Sequence, residues 1–198
     1  MRQRNSAVFL DRDGVINRTV YYEELGIVDS PFHPDQFILN YGVKKAIALI
    51  HRMGKMAILV SNQPGVAKGY YSKKSFNSLN KKMKSILNYD SALDGIYYCL
   101  HHPQGVIKKY RKVCSCRKPK VGLFLKASRE QDIDLRRSYM VGDGVLDIEA
   151  GKRAGCRTIL IGQSKCDMCR ILLNKGLKPD TIAENLLEAV NKIKKWEG

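Results

Sequence analysis

Short apolar runs recur along this chain, each bounded by polar or turn-forming residues. Residues 7–10 (Ala7-Val8-Phe9-Leu10), 55–61, 95–99, 138–141 and 158–161 are four to seven residues long and rich in aliphatic and aromatic side chains. That is the pattern of buried strands. Between these runs the apolar positions change to helical spacing. Residues 42–53 place Val43, Ala46, Ile47 and Ile50 on one stripe, and Gly54 closes the helix. Ser72 is positioned to cap a helix to about residue 88, with Phe76, Leu79, Met83, Ile86 and Leu87 apolar. Further helices are predicted over 121–131, 146–154 and 186–195, with a short one near 167–174. Strands alternating with helices predict an α/β fold, a three-layer Rossmann-like parallel sheet with helices on both faces. The chain shows no repeat, low-complexity tract or linker, so residues 1–198 are expected to form one domain. Residues 18–40 stand apart as an irregular stretch holding Tyr21-Tyr22, Pro31 and His33-Pro34. Connections of that length are usually lids or binding loops.

Composition narrows the class. The chain has 198 residues, 44% of them hydrophobic, enough for one good core. No apolar run approaches the roughly 18 residues of a membrane span. Only four apolar residues separate the basic start from Asp11, too few for a signal peptide, so a cytoplasmic location without membrane contact is expected. The net charge of +16 points to polyanions or phosphorylated ligands as partners, or to nothing more than a basic composition shared across the source organism. The lysines recur along predicted helices, and the densest run is Lys108, Lys109, Arg111, Lys112, Arg117, Lys118 and Lys120.

The chemistry collects at strand ends. Asp11 and Asp13 follow the first strand directly, Ser61 and Asn62 end the second, and Asp143 follows the fourth. In a parallel sheet these ends share one rim, where open α/β sheets bind ligands. Two aspartates one residue apart repel unless a proton or cation sits between them. An oxygen-preferring ion such as Mg²⁺ removes that penalty, and Asp143 adds a third carboxylate. Alone, Asp-x-Asp-Gly also fits a solvated turn or the start of a calcium loop. Ser61 offers a hydroxyl, and the turn behind it offers backbone N–H groups to a phosphate. Lys118 can bring a cation to the same rim.

Asp11-Arg12-Asp13-Gly14, Ser61-Asn62-Gln63, Lys118-Pro119 and Gly142-Asp143-Gly144-Val145-Leu146-Asp147, in that order, resemble the four-part signature of haloacid-dehalogenase-type phosphatases. The resemblance spans residues 8–162 and implies a mechanism. Asp11 attacks phosphorus to give an aspartyl-phosphate, and Asp13 protonates the leaving oxygen and then activates water. Mg²⁺ is held by Asp11, the Asp13 carbonyl and Asp143, while Ser61 and Lys118 hold the transferring oxygens. Arg12, Asn62 and Gln63 lie within these motifs and are expected to bind substrate. Asp147 lies one helical turn after Asp143, where it supports the metal or is simply a carboxylate at a helix start.

A second constellation is Cys99-Leu100-His101 with Cys114-Ser115-Cys116. Six cysteines in a chain read as cytosolic favour metal over disulfides. Three thiolates and one imidazole match a closed, structural zinc site, with His102 a rival ligand to His101. Cys166 and Cys169 have metal or redox spacing but no ligand-rich partner nearby, and read as ordinary or surface cysteines. Cys156, before an apolar strand, reads as a small core residue. The stretch 95–105 followed by 114–119 is similar to the heptose-bisphosphate and histidinol-phosphate phosphatase group of that family. The resemblance implies a Mg²⁺-dependent phosphatase with a zinc-bound loop, residues 99–116. Its expected substrate is a sugar phosphate, D-glycero-D-manno-heptose 1,7-bisphosphate first and histidinol phosphate second. It also implies that Arg117 recognises substrate. Gly144 stands where that group carries a lysine, and segment 21–37 is longer than usual. A 3′-phosphatase of nucleic-acid ends is the polymer alternative, but the basic run lacks stacking aromatics beyond Tyr110. A monomer acting on a small molecule, without nucleic acid, is therefore expected.

Overall fold

The computed structural model describes residues 4–162, 172 and 174–198. Six strands form one parallel sheet in the order β5-β4-β1-β6-β7-β8. They are β1 (Ala7–Leu10), β4 (Met56–Asn62), β5 (Gly95–Cys99), β6 (Tyr139–Gly142), β7 (Arg157–Ile161) and β8 (Thr181–Ala183). Strand β1 is central and every residue in it is buried. Successive side chains alternate across a sheet, and β1 feeds both cores. Val8 and Leu10 join the apolar cluster under α1 (Val43–Arg52), α3 (Lys73–Ile86) and the last helix, α6 (Leu186–Glu197). Ala7 and Phe9 join the opposite cluster with Leu123, Phe124 and Ala127 of α4 (Gly122–Glu130) and Ala150 of α5 (Val145–Ala154). Cys156 lies in that second core, as its sequence context suggested.

Helix α1 buries Val43, Ala46, Ile47 and Ile50, the stripe its spacing predicts. At the start of α3 the Ser72 hydroxyl accepts from the Ser75 N–H at 3.0 Å, satisfying one free helix donor. Three elements differ from expectation. The stretch 18–40 is not wholly irregular: β2 (Val20–Tyr22) and β3 (Ile27–Asp29) form an antiparallel hairpin. Tyr22 stacks on Phe32 at 3.9 Å, and its hydroxyl donates to the Ser30 carbonyl at 3.0 Å. The turn after β4 continues into a short helix, α2 (Gly65–Lys68). Strand β8 adds a sixth strand, where Asp180 accepts from the Thr158 N–H at 2.6 Å and pairs with Lys152 at 2.7 Å. The short helix expected near 167–174, and Cys166 and Cys169, lie largely outside the described residues.

Candidate active site

Three strands deliver the carboxylates and polar groups to one rim. Leu10 pairs with Val141 on one side and Leu59 on the other, so β1, β6 and β4 end side by side. The Asp11 N–H donates to the Val141 carbonyl at 3.1 Å, tying the first residue beyond β1 to β6. Carboxylate oxygens of Asp11, Asp143 and Asp147 lie within 4.8 Å of one another. Gly14 adopts φ +79°, and a Cβ there would stand 1.9 Å from Asp143 Oδ2. Only glycine lets the loop after β1 close on Asp143.

Lys118 enters this cluster from beneath. It is 2% exposed, with Nζ 2.9 Å from Asp11 Oδ1 and 2.5 Å from Asp147 Oδ1. Asn62 clamps its backbone, accepting from the Lys118 N–H at 3.0 Å and donating to its carbonyl at 3.1 Å. Asn62, expected at the substrate, thus also fixes the lysine. Asp147 accepts from the Gly144 N–H at 3.1 Å as well, so it is both a carboxylate at a helix start and the partner of Lys118.

One ammonium among three carboxylates leaves the rim short of positive charge. Burial, then Asp11 and Asp147, push the Asp143 carboxyl up to about 8. Burial also raises Asp147 to about 6, with Lys118 acting against the rise and Asp11 adding to it. Burial opposes the charge on Lys118, but Asp11 and Asp147 outweigh it and hold its pKa above the ordinary value. A divalent cation with oxygen ligands is the natural counter-charge for such a donor set, so these residues fit Mg²⁺.

Asp13 sits at the mouth with Arg12, Asn17 and Gln63 around its carboxylate. Arg12 and Gln63 were expected at the substrate, yet both have 0% exposure. The reason is local: Asp13 supplies an adjacent counter-charge for Arg12, and Tyr71 and Ser61 complete the hydrogen bonds of Gln63. Asn17 and Tyr71 had no sequence signal, since neither belongs to a motif or a spacing that chemistry requires. Ser61 is likewise buried, its hydroxyl accepting from Gln63 Nε2 at 3.1 Å. The cleft above the rim holds about 280 Å³ and is lined by Asp11, Asp13, Asn62, Arg117, Lys118 and Asp143. Thr19, Asp29 and Ser30, in and beside the hairpin, line it too, so the long connection does border the site.

The second cluster lies beyond the end of β5. Cys99, His101, Cys114 and Cys116 converge, with sulfur–sulfur separations of 3.3, 3.3 and 3.6 Å. His101 Nδ1 is 3.4 Å from Cys116 Sγ and 3.8 Å from Cys99 Sγ. These cysteines are free thiols, and ligands at about 2.3 Å around one tetrahedral ion would stand ~3.8 Å apart, so the four atoms fit a zinc-sized ion. It is His101 and not His102 that groups with the three sulfurs, while His102 Nδ1 accepts from the Gln104 N–H at 3.1 Å. Burial pushes the Cys99 thiol well up. The loop abuts the catalytic rim, since the Gln63 N–H donates to the Cys99 carbonyl at 2.7 Å. Arg117 follows Cys116 directly, and its Nη1 is 3.5 Å from the His101 carbonyl.

The HAD-hydrolase-like family matches residues 115–189. A D-glycero-beta-D-manno-heptose-1,7-bisphosphate 7-phosphatase of Haemophilus ducreyi is 38% identical over 187 residues, covering 93% of this chain and 96% of that protein. The protein of the same name from Salmonella typhi is 41% identical over 93% of this chain and 88% of its own length. Among solved structures, D,D-heptose 1,7-bisphosphate phosphatase from B. bronchiseptica, complexed with magnesium and phosphate, superposes with a TM-score of 0.76. That structure is 28% identical over 96% of this chain and 99% of its own. On the fold, the rim and these relatives, the chain belongs to the haloacid-dehalogenase-like phosphatases, in the group of the heptose-bisphosphate phosphatases.

Proposed function

We propose that this phosphatase removes one phosphate from D-glycero-D-manno-heptose 1,7-bisphosphate, working as a cytoplasmic monomer built from one domain, residues 1–198. The observation that carries the reading is the rim itself. Three carboxylates converge beneath a cleft the size of a small phosphorylated sugar, and one buried lysine pairs with two of them, Asp11 and Asp147. The names borne by relatives at 38% and 41% identity supply the sugar.

Asp11 is the nucleophile. One carboxylate oxygen attacks phosphorus, the bond to the sugar oxygen breaks, and an aspartyl-phosphate remains. Asp13 gives a proton to the departing oxygen and afterwards takes one from the water that hydrolyses the intermediate. Lys118 and Ser61 steady the oxygens of the transferring group, the electrostatic contribution that dominates phosphoryl transfer. Asp11, Asp143 and the Asp13 carbonyl would hold Mg²⁺, which when bound neutralises charge on the phosphoryl oxygens. Asp147 and Asn62 keep Lys118 in place, and Arg117 reaches the rest of the sugar from the zinc loop. Cys99, His101, Cys114 and Cys116 would hold a structural zinc that rigidifies this loop.

Phosphate release across sugar bisphosphates, histidinol phosphate and 3′-phosphorylated oligonucleotides tests the reading. The heptose bisphosphate is expected to lead by at least tenfold in kcat/KM, an energy gap of roughly 1.4 kcal/mol. Preference for either of the other two would replace the sugar assignment without disturbing the phosphatase chemistry.

A further inference from the structure

Five hydrogen bonds converge on one carboxylate at the edge of the cleft. Asp13 Oδ1 accepts from Arg12 Nε at 3.2 Å, Arg12 Nη2 at 3.1 Å and Asn17 Nδ2 at 2.9 Å. Asp13 Oδ2 accepts from Gln63 Nε2 at 2.6 Å and Arg12 Nη2 at 3.2 Å. The donors are themselves held. Tyr71 donates its hydroxyl to Gln63 Oε1 at 3.0 Å, which fixes which end of the amide faces Asp13. The Arg12 guanidinium lies 6.0 Å from the Tyr98 ring centroid, and Tyr98 is anchored by its hydroxyl to Asn80 at 2.6 Å.

Burial separates the roles. Arg12 and Gln63 are 0% exposed, whereas the Asp13 side chain keeps 16% of its surface at the cleft. Unlike the buried Lys118, neither Arg12 nor Gln63 lines the cleft. Arg12 Nε and Nη2 and Gln63 Nε2 are directed at the Asp13 carboxylate, so both side chains are placed to act on that carboxylate and not on a ligand. A fully buried guanidinium is also costly unless paired, and among the described residues Asp13 is the carboxylate it pairs with. Arg12 and Asp13 are adjacent in sequence, so the loop after β1 must carry one inward and the other toward the cleft.

We propose that Arg12 and Gln63 are positioning residues for Asp13, fixing the carboxyl that protonates the leaving oxygen, and that neither contacts substrate. The inference rests on the reading of Asp13 as the acid and base. In the step concerned, the bond from phosphorus to the sugar oxygen breaks as the bond from Asp11 to phosphorus forms. The electron pair stays on the sugar oxygen, which takes its proton from Asp13. Misplacing Asp13 therefore harms substrates in proportion to how badly their leaving oxygen needs that proton. A sugar oxygen needs it, and a nitrophenolate does not.

The test compares kcat/KM, which reports steps up to loss of the leaving group, for a sugar bisphosphate and for p-nitrophenyl phosphate. Arg12→Met is expected to lose about 100-fold on the sugar bisphosphate but under about fivefold on the aryl ester. The loss should fall on kcat, with KM nearly constant. Arg12→Lys, which keeps a cationic donor, should recover to within about tenfold of the parent. Equal losses on both substrates, a loss confined to KM, or no loss at all would overturn the inference. Asp13→Asn is the internal standard. If it shows no difference between the two substrates, the reading of Asp13 fails. If it does show one while Arg12→Met does not, the inference alone fails. Should Arg12→Met not fold, Gln63→Leu carries the test, with an expected difference of about tenfold between the substrates. Equal losses there would overturn the inference as well.

Discussion

Two candidate metal clusters stand a few residues apart in this fold, and they are built on opposite principles. The carboxylate rim gathers Asp11 and Asp143, beyond the ends of strands and more than 130 residues apart, with Asp147 from the first turn of α5, in an open cleft. The cysteine cluster gathers four ligands from residues 99–116, next to one strand end, with every donor turned inward. The first has too much negative charge for its one lysine, and burial together with Asp11 and Asp147 displaces Asp143 to about 8. The second supplies a full tetrahedron of soft donors. Sites that process a phosphoryl group need unmet charge and an open position, whereas a structural ion needs neither. The two clusters meet through Arg117 and Lys118, which follow Cys116 in sequence and line the cleft.

The largest expected effect tests the open cluster. Asp11→Asn keeps the shape but cannot form the covalent intermediate, and phosphate release should fall by roughly 10⁴-fold or more. Circular dichroism should show the fold intact. Near-normal turnover would end the covalent reading.

Next in size is the closed cluster. Protein prepared without chelators should carry about one equivalent of zinc by elemental analysis, and Cys114→Ser or Cys116→Ser should lose it. Because Arg117 depends on this loop, kcat/KM should drop about 10–100-fold while the Mg²⁺ dependence barely moves. A parallel loss of Mg²⁺ affinity would show that the two clusters are not separable as described.

Gly14→Ala perturbs the open cluster through the backbone of its loop. A Cβ there would lie 1.9 Å from Asp143 Oδ2 on a backbone with φ +79°. The Mg²⁺ concentration for half-maximal activity should rise about tenfold, with zinc content unchanged. Gly122→Ala is the counterpart at the other cluster, since its Cβ would meet the Ser115 carbonyl at 2.5 Å. It should weaken zinc retention and leave Mg²⁺ dependence alone. If both variants moved both metals, the loops would form one mechanical unit.

The smallest effect concerns the excess positive charge. A reader of nucleic-acid ends engaging six or more phosphates would lose orders of magnitude of affinity between about 50 and 200 mM salt. A sugar bisphosphate held in a partly enclosed cleft is screened far less, so kcat/KM should drop only several-fold over that range. Charge reversal at Lys108, Lys109 and Lys112 should matter less than Arg117→Ala, because Arg117 lines the cleft. A steep salt slope with efficient 3′-dephosphorylation would favour the polymer.

The sequence by itself determined the alternation of strands and helices, because four to seven apolar residues between polar ends have few other places to go. It also determined the candidate chemistry of Asp11, Asp13, Ser61 and Asp143, since strand ends of a parallel sheet share one rim whatever their separation along the chain, whereas Lys118 reaches that rim from a loop. Paired Cys-x-His and Cys-x-Cys motifs made the closed cluster legible for the same reason, as short spacing leaves the donors little freedom. Only the tertiary structure decided the rest. Strands of three residues, β2, β3 and β8, are too short for periodicity to register and exist through their partners. The choice of His101 over His102 depends on which way each ring turns, which neighbouring residues of one type do not reveal. Arg12 and Gln63 are expected at the substrate because they lie within the motifs that carry the chemistry, and a motif does not say which way a side chain turns. Their burial followed from partners elsewhere in the fold, Gln63 and Tyr71 coming from across the rim to meet Arg12 and Asp13.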